Sequence, residues 1–352
     1  MRDELAIRER RISVAGGLSL NVMEAGDGPL MLMIHGFPGL AYSWRHQLLP
    51  FARAGFTAVA IDSLGYGGSD RPTDPALYDS AHMQTYLLAL LDQYGARDAV
   101  VIGQDFGAQY AWNMAVRSPE RVRALVATIP YDYDLAGRAM LGGRSRLAEG
   151  EAPRPDMASP DHLPSARFAE MAKAHFVHFH YFQTVGPADR ELGGALADYL
   201  RRSFHALSAS GDLWAWKALP SAGTGYLDAL PRAPDLPWSW LSTEEFADYV
   251  RRYDHSDIDR RMIGGLNSYR TADANWEIGK AWADADVTVP TLMLYGASDP
   301  SFGFFPDWEE RLRRRVPGLV DIVAIEGAGH LVQQEKPEAF NAAVLGFLDS
   351  LS

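Results

Sequence analysis

The chain has no cysteine among its 352 residues. Disulfides, thiolate catalysis and thiolate metal sites are thereby excluded, whereas the redox compartment stays open, because a cysteine-free protein suits either. Positive charge is also scarce. Lys and Arg number 33 against 45 Asp and Glu, a formal net charge of −12, and no Lys/Arg stripe with interleaved aromatics offsets it locally. That balance repels a phosphate backbone, so no nucleic-acid partner is expected. Long apolar runs are missing too: a stretch such as Leu30 to Ile34 falls far short of the roughly 20 residues that a membrane helix needs. The segment from Met1-Arg2-Asp3-Glu4 through Arg8-Glu9-Arg10-Arg11 is charged and lacks the apolar core of a secretory signal. A cytoplasmic protein with no membrane partner is expected.

What is present is an ordinary folded composition, 47% hydrophobic and 22% charged. Short apolar runs bounded by Gly, Asp or Pro alternate with longer helix-like segments, the pattern of a parallel sheet covered on both faces. The strand candidates are Leu30 to Ile34, Thr57 to Ile61, Ala99 to Ile102, Leu125 to Ile129, Thr291 to Leu294 and Val320 to Ile325. From Tyr131 to Asp161 the chain is rich in Gly, Pro, Ser and charge, a long loop that marks a boundary. Phe168 to Trp276 then reads as several aromatic-rich helices, broken at Gly186-Pro187 and around Pro220 to Pro237, before the strand rhythm resumes at Val287. The order predicts an α/β core of residues 1–133 and 285–352, with a mostly parallel sheet flanked by helices, interrupted by a loop and helical cap over 134–284.

Gly103-Gln104-Asp105-Phe106-Gly107 follows the run Ala99 to Ile102 and precedes a helical pattern. It matches the elbow in which small flanking residues permit a tight strand-to-helix turn and the central side chain enters a pocket. The helix N-terminus would favour the ionised carboxylate. An Asp in the place of Ser restricts the chemistry. A serine that displaced a leaving group from saturated carbon would form an ether, whereas a carboxylate forms an ester that water can cleave. The substrate should therefore carry an electrophilic sp³ carbon, as an epoxide or alkyl halide does. The competing reading of Asp105 alone is a plain helix N-cap.

His330, in Gly327-Ala328-Gly329-His330, follows the last strand candidate, and Asp299 follows the strand Thr291 to Leu294. Nucleophile, acid and histidine thus occur in the order of the α/β-hydrolases, each after a strand, where open α/β sheets bind ligands. Asp299 would orient the imidazole and His330 would take a proton from water. Asp132 and Asp134 are the fallback for the acid. His35-Gly36-Phe37-Pro38-Gly39 stands where a second oxyanion donor is placed, so the backbone N–H groups of Phe37 and Phe106 are the candidate oxyanion hole, although such a string also makes an ordinary turn.

With these motifs, together with Ser43-Trp44-Arg45-His46-Gln47 and the stretch Asp62 through Pro72 containing Gly65-Tyr66-Gly67, the chain resembles the epoxide hydrolase branch of the α/β-hydrolase superfamily over almost its whole length. The resemblance implies an α/β-hydrolase core with a helical cap, and two cap acids, commonly tyrosines, that bond the epoxide oxygen as the ring opens. Leu266-Asn267-Ser268-Tyr269-Arg270 looks like the segment of one, which assigns Tyr269. His178-Phe179-His180-Tyr181-Phe182-Gln183 matches the segment of the other, and its register puts His178 where the tyrosine usually stands, with Tyr181 nearly one helical turn away as the alternative. The likeness also puts His35, Pro38 and Phe182 against the substrate, a small-molecule epoxide of apolar or aromatic character, and implies no cofactor and no metal. His175 and His180 are expected to pack or face solvent. Trp214, Trp216, Trp238 and Trp240 are core residues by default and pocket walls as the alternative. Dehalogenases of neighbouring branches use the same triad, but often with Trp after the nucleophile and Asn in the oxyanion motif, where this chain has Phe106 and Phe37. A non-catalytic receptor on this scaffold would have no need of the complete set Asp105, Asp299 and His330. Oligomeric state is not legible.

Overall fold

The computed structural model describes residues 5–131, 163–282, 285–304 and 308–351. Residues 1–4 lie outside them, as do residues 132–162, which hold all but Tyr131 of the loop expected from Tyr131 to Asp161, with the fallback acids Asp132 and Asp134. Eight strands form one sheet: β1 Arg8–Ser13, β2 Ser19–Ala25, β3 Leu30–Ile34, β4 Thr57–Asp62, β5 Ala99–Gly103, β6 Val122–Ala127, β7 Thr291–Gly296 and β8 Leu319–Ile325. Their order is β1-β2-β4-β3-β5-β6-β7-β8. The first two pairings are antiparallel and the remaining five are parallel.

The central strands read as unbroken apolar runs because both faces are covered. In β3, Leu30, Leu32 and Ile34 point to one side, where they meet Leu87, Leu90 and Leu91 of the helix Ser80–Gln93 and Ala111 and Met114 of the helix Phe106–Arg117. Met31 and Met33 point to the other, against Leu48 and Phe51 of the helix Arg45–Arg53 and Phe340, Val344 and Phe347 of the helix Pro337–Asp349. The period of two divides one apolar run between two cores.

Two strands were not expected. In β1 only Ile12 of Arg8–Ser13 is buried, so an edge strand carried by arginines and a glutamate has no apolar signature. In β2 the buried polar residues Asn21 and Glu24 interrupt the pattern, and both find partners: Asn21 Nδ2 donates to Asp62 Oδ2 at 2.9 Å, and Arg10 Nε donates to Glu24 Oε1 at 3.1 Å. The sixth strand begins and ends earlier than the run Leu125 to Ile129 suggests. It starts straight after the turn Pro119–Arg121, and the Ile129 carbonyl accepts Trp112 Nε1 at 2.9 Å instead of continuing the ladder.

Between β6 and β7 the described residues form helices and no strand. The helix Thr243–Tyr253 is bound to the core. Buried Arg71 donates to the carbonyls of Gly67, Arg252, Tyr253 and Arg260, and the Tyr253 hydroxyl donates to Gly39 O at 3.0 Å. Among the described residues no helix is long and apolar enough to cross a membrane.

Candidate active site

Asp105 is the only described non-glycine residue with positive φ (φ 53°, ψ −123°). Such a conformation costs on the order of 1–3 kcal/mol and must be held by its surroundings. Here the turn is clamped between β5 and the helix Phe106–Arg117, whose second residue must be glycine: a Cβ on Gly107 would lie 2.1 Å from Ile34 O. The plain N-cap role is not what the side chain does, for it accepts no bond from its own helix. Its Oδ1 instead accepts the Phe37 N–H at 2.9 Å, and its Oδ2 lies 3.4 Å from His330 Nε2. A backbone donor from the β3 loop and an imidazole thus converge on one carboxylate.

Parallel strands end at the same edge of the sheet, which is why residues following β3, β5, β7 and β8 meet. His330 Nδ1–H donates to Asp299 Oδ2 at 2.9 Å, and this partner orients the ring so that Nε2 faces Asp105. Asp299 is held in turn by the Ser301 N–H on Oδ1 at 2.8 Å. Burial alone would lower the His330 pKa. The charge of Asp299 and the bonds to both carboxylates outweigh it and raise it to about 10. At neutral pH the resting histidine is therefore an imidazolium between two carboxylates.

These groups open into a cavity of about 60 Å³ whose walls include Phe37, Ile129, His178, Phe179, Tyr199, Leu207, Leu213, Tyr226 and Tyr269. Tyr269 enters from the helix Ile263–Arg270, its ring edge-on to Phe106 at 4.9 Å and to Phe182 at 5.0 Å. The next residue anchors it: Arg270 pairs with Asp189 through both nitrogens, at 3.1 and 2.6 Å, with both side chains buried. Gln183 Nε2 also donates to Tyr269 O at 3.0 Å. His178 is buried on the short helix His178–Tyr181, between Phe179 and Tyr226, and its Nδ1 has no hydrogen-bond partner. Burial drives its pKa down to about 3, only partly opposed by Asp105. His178 is therefore neutral and can offer an N–H, not an imidazolium.

Several other candidates stay out of the cavity wall. Tyr181, the alternative to His178, turns away: its hydroxyl donates to Glu191 Oε2 at 2.8 Å inside the helical region, and it does not line the cavity. The helical register separates the two, with His178 inward. His35, Pro38 and Phe182 are buried but do not reach the cavity either. His35 spends both ring nitrogens on backbone, donating from Nδ1 to Gly36 O at 2.7 Å and accepting the Ser63 N–H on Nε2 at 3.0 Å, while Phe182 backs Tyr269. The four tryptophans also stay out of the cavity wall. Trp214 lies against Trp216, and Trp238 against Trp240. His180 is exposed and His175 packs on Trp216, as expected.

Residues without a sequence signal also contribute. Gln104 joins the loops, its Oε1 accepting the Gly36 N–H at 3.3 Å and its Nε2 donating to His330 O at 3.3 Å. Tyr199, Ser203 and Leu207 reach the cavity together because they are spaced four apart on the helix Leu196–Leu207. Only the periodicity of that helix could have suggested them.

An aspartate on a strained elbow after β5, an acid after β7 and a histidine after β8 define a hydrolase of the α/β-hydrolase fold. Residues 29–165 match the family model described as alpha/beta hydrolase fold. The chain is 36% identical to Epoxide hydrolase A of Mycobacterium tuberculosis over 97% of both chains, and 30% identical to Epoxide hydrolase 3 of Siraitia grosvenorii over 95% of this chain and 96% of that one. The crystal structure of Epoxide Hydrolase A from Mycobacterium thermoresistibile superposes with a TM-score of 0.80 at 37% identity, covering 98% of each chain. The chain belongs to the epoxide hydrolase family.

Proposed function

We propose that the protein converts an epoxide to a vicinal diol through a covalent ester on Asp105. The observation that carries this reading is that Asp105 and His330, the latter backed by Asp299, line one cavity together with Tyr269 and His178. The stretch 134–284, whose described residues are helical, serves as the cap that delivers those two donors. In the first step Asp105 attacks an epoxide carbon, the C–O bond breaks, and its electrons go to the ring oxygen. Tyr269 donates its proton to that oxygen and the neutral His178 N–H stabilises the charge.

Esterification removes the Asp105 charge, and with it part of what held the His330 proton. That proton restores Tyr269 through solvent and leaves His330 neutral. His330 then takes a proton from water, and the hydroxide adds to the ester carbonyl, whose oxyanion meets the N–H groups of Phe37 and Phe106. Collapse breaks the bond between the carbonyl carbon and the diol oxygen. The new carboxylic acid gives its proton to that oxygen, which regenerates the Asp105 carboxylate beside a protonated His330.

The walls Phe37, Ile129, Phe179, Leu207 and Leu213 favour an apolar or aromatic epoxide. Dehalogenation would use the same three groups but would leave Tyr269 and His178 without a ring oxygen to bond. An aryl epoxide and a haloalkane supplied in parallel separate the two. Diol without halide release is expected; halide release with no diol from a broad epoxide panel refutes the reading.

A further inference from the structure

The short helix Val332–Glu335 begins two residues after His330 and ends in a carboxylate that the chemistry above does not use. Glu335 Oε1 accepts the N–H of Gly329 at 3.0 Å and of Leu331 at 3.2 Å, the residues on either side of His330. Its Oε2 accepts the N–H of Ala209 at 2.9 Å. Ala209 lies just past the helix Leu196–Leu207. The His330 N–H itself donates to Leu207 O at 2.9 Å. The backbones meet so closely that a Cβ on Gly329 would lie 2.4 Å from Ala209 N. Three successive N–H groups of the histidine loop are therefore committed, two to one carboxylate and the middle one to the end of a helix that lines the cavity with Tyr199, Ser203 and Leu207.

We infer that Glu335 is a positioning residue for ester hydrolysis: by holding the amides on both sides of His330 and the cap residue Ala209 together, it sets where His330 Nε2 meets the attacking water. This rests on the covalent reading above. Alkylation depends less on Glu335, because Asp105 touches His330 at 3.4 Å but is also held by its elbow and by Phe37, and Tyr269 and His178 are held by other helices. Hydrolysis depends on the aim of the imidazole, since a base displaced by an ångström loses its water.

Glu335→Gln keeps the shape but replaces one accepting oxygen with an NH2 group. Whichever way the amide turns, it sets a donor against the N–H groups of the histidine loop or that of Ala209. A charge-assisted bond to a backbone amide is lost, which corresponds to about a tenfold effect or more. Glu335→Asp keeps the charge and shortens the reach.

The test measures both half-reactions by quenched single turnover, with intact-mass detection of the ester, using racemic styrene oxide on the full chain. In Glu335→Gln the hydrolysis rate constant should fall at least about tenfold relative to alkylation, so that the ester accumulates, and Glu335→Asp should recover part of the difference. A purely structural role lowers both steps in proportion. Equal loss in both steps, an unchanged ratio, or a Gln variant too unstable to assay paired with an Asp variant of wild-type ratio would each overturn the inference. Failure of ¹⁸O from solvent to enter Asp105 during a single wild-type turnover would overturn the covalent reading instead, and so the two failures are distinguishable.

Discussion

Replacing Asp105 with Asn removes the charge of the proposed nucleophile while keeping its shape, and so imitates the electrostatics of the proposed ester. The carboxylate Oδ2 lies 3.4 Å from His330 Nε2. At an effective dielectric constant near 20, unit charges at that distance attract by about 5 kcal/mol, which corresponds to roughly three to four pH units on the imidazole. The Asp105 side chain is 21% exposed, and solvent screening trims the figure, so a fall of about two units or more is expected from the resting value of about 10. Titration of ¹⁵N-histidine signals in both proteins measures it. The resting His330 should stay protonated through pH 8, and in Asp105→Asn it should titrate much nearer neutrality. Stability gives a second readout. Because the folded value lies above the ordinary 6.5, the pair stabilises the fold fully below about pH 6.5 and loses that contribution as pH rises toward 10. The Asn variant should show a flatter Tm profile across that window. A His330 that titrates within half a unit in both proteins would refute the idea that esterification releases the base.

Tyr269→Phe should slow alkylation by about 10²- to 10³-fold, the scale of one lost donor to a developing oxyanion, read as the burst of ester formation in stopped-flow. His178→Phe should also slow alkylation. Since burial holds His178 neutral with a pKa of about 3, wild-type kcat/KM should show no limb near pH 6 that disappears in this variant. Tyr181→Phe breaks only a bond to Glu191 within the helical region, so its alkylation rate should stay within about twofold of wild type.

The central sheet was legible because strands buried on both faces must be apolar throughout, as β3 and β5 are. The first two strands were not, because the edge strand Arg8–Ser13 buries only Ile12 while its Arg8 and Arg10 pair with Glu24 of the next strand, and in that strand Asn21 and Glu24 break the apolar pattern. Asp105, Asp299 and His330 stood out for a similar reason. Each follows a strand, and parallel strands deliver their ends to one edge, so chain order carried the geometry. Side-chain direction within the helical insertion was harder. In the stretch His175–Tyr181 alone four residues offer an imidazole or phenol, and only the packing that turns Tyr181 onto Glu191 and His178 onto Tyr226 decides which reaches the cavity. His35 stands in the same motif as Phe37, but both its ring nitrogens bond backbone and it stays out of the cavity wall. Gln104 and Glu335 were invisible, since their bonds go to the backbone of segments distant in sequence or to amides whose direction no residue identity encodes.

The covalent role of Asp105 is tested most directly by one turnover in ¹⁸O-water with enzyme in excess over an aryl epoxide. Mass spectrometry should find the label in the side chain of Asp105 and an unlabelled diol, because the oxygen delivered in that turnover comes from the carboxylate. A diol that carries ¹⁸O while Asp105 remains unlabelled would mean that water attacks the epoxide directly, and the account would be wrong.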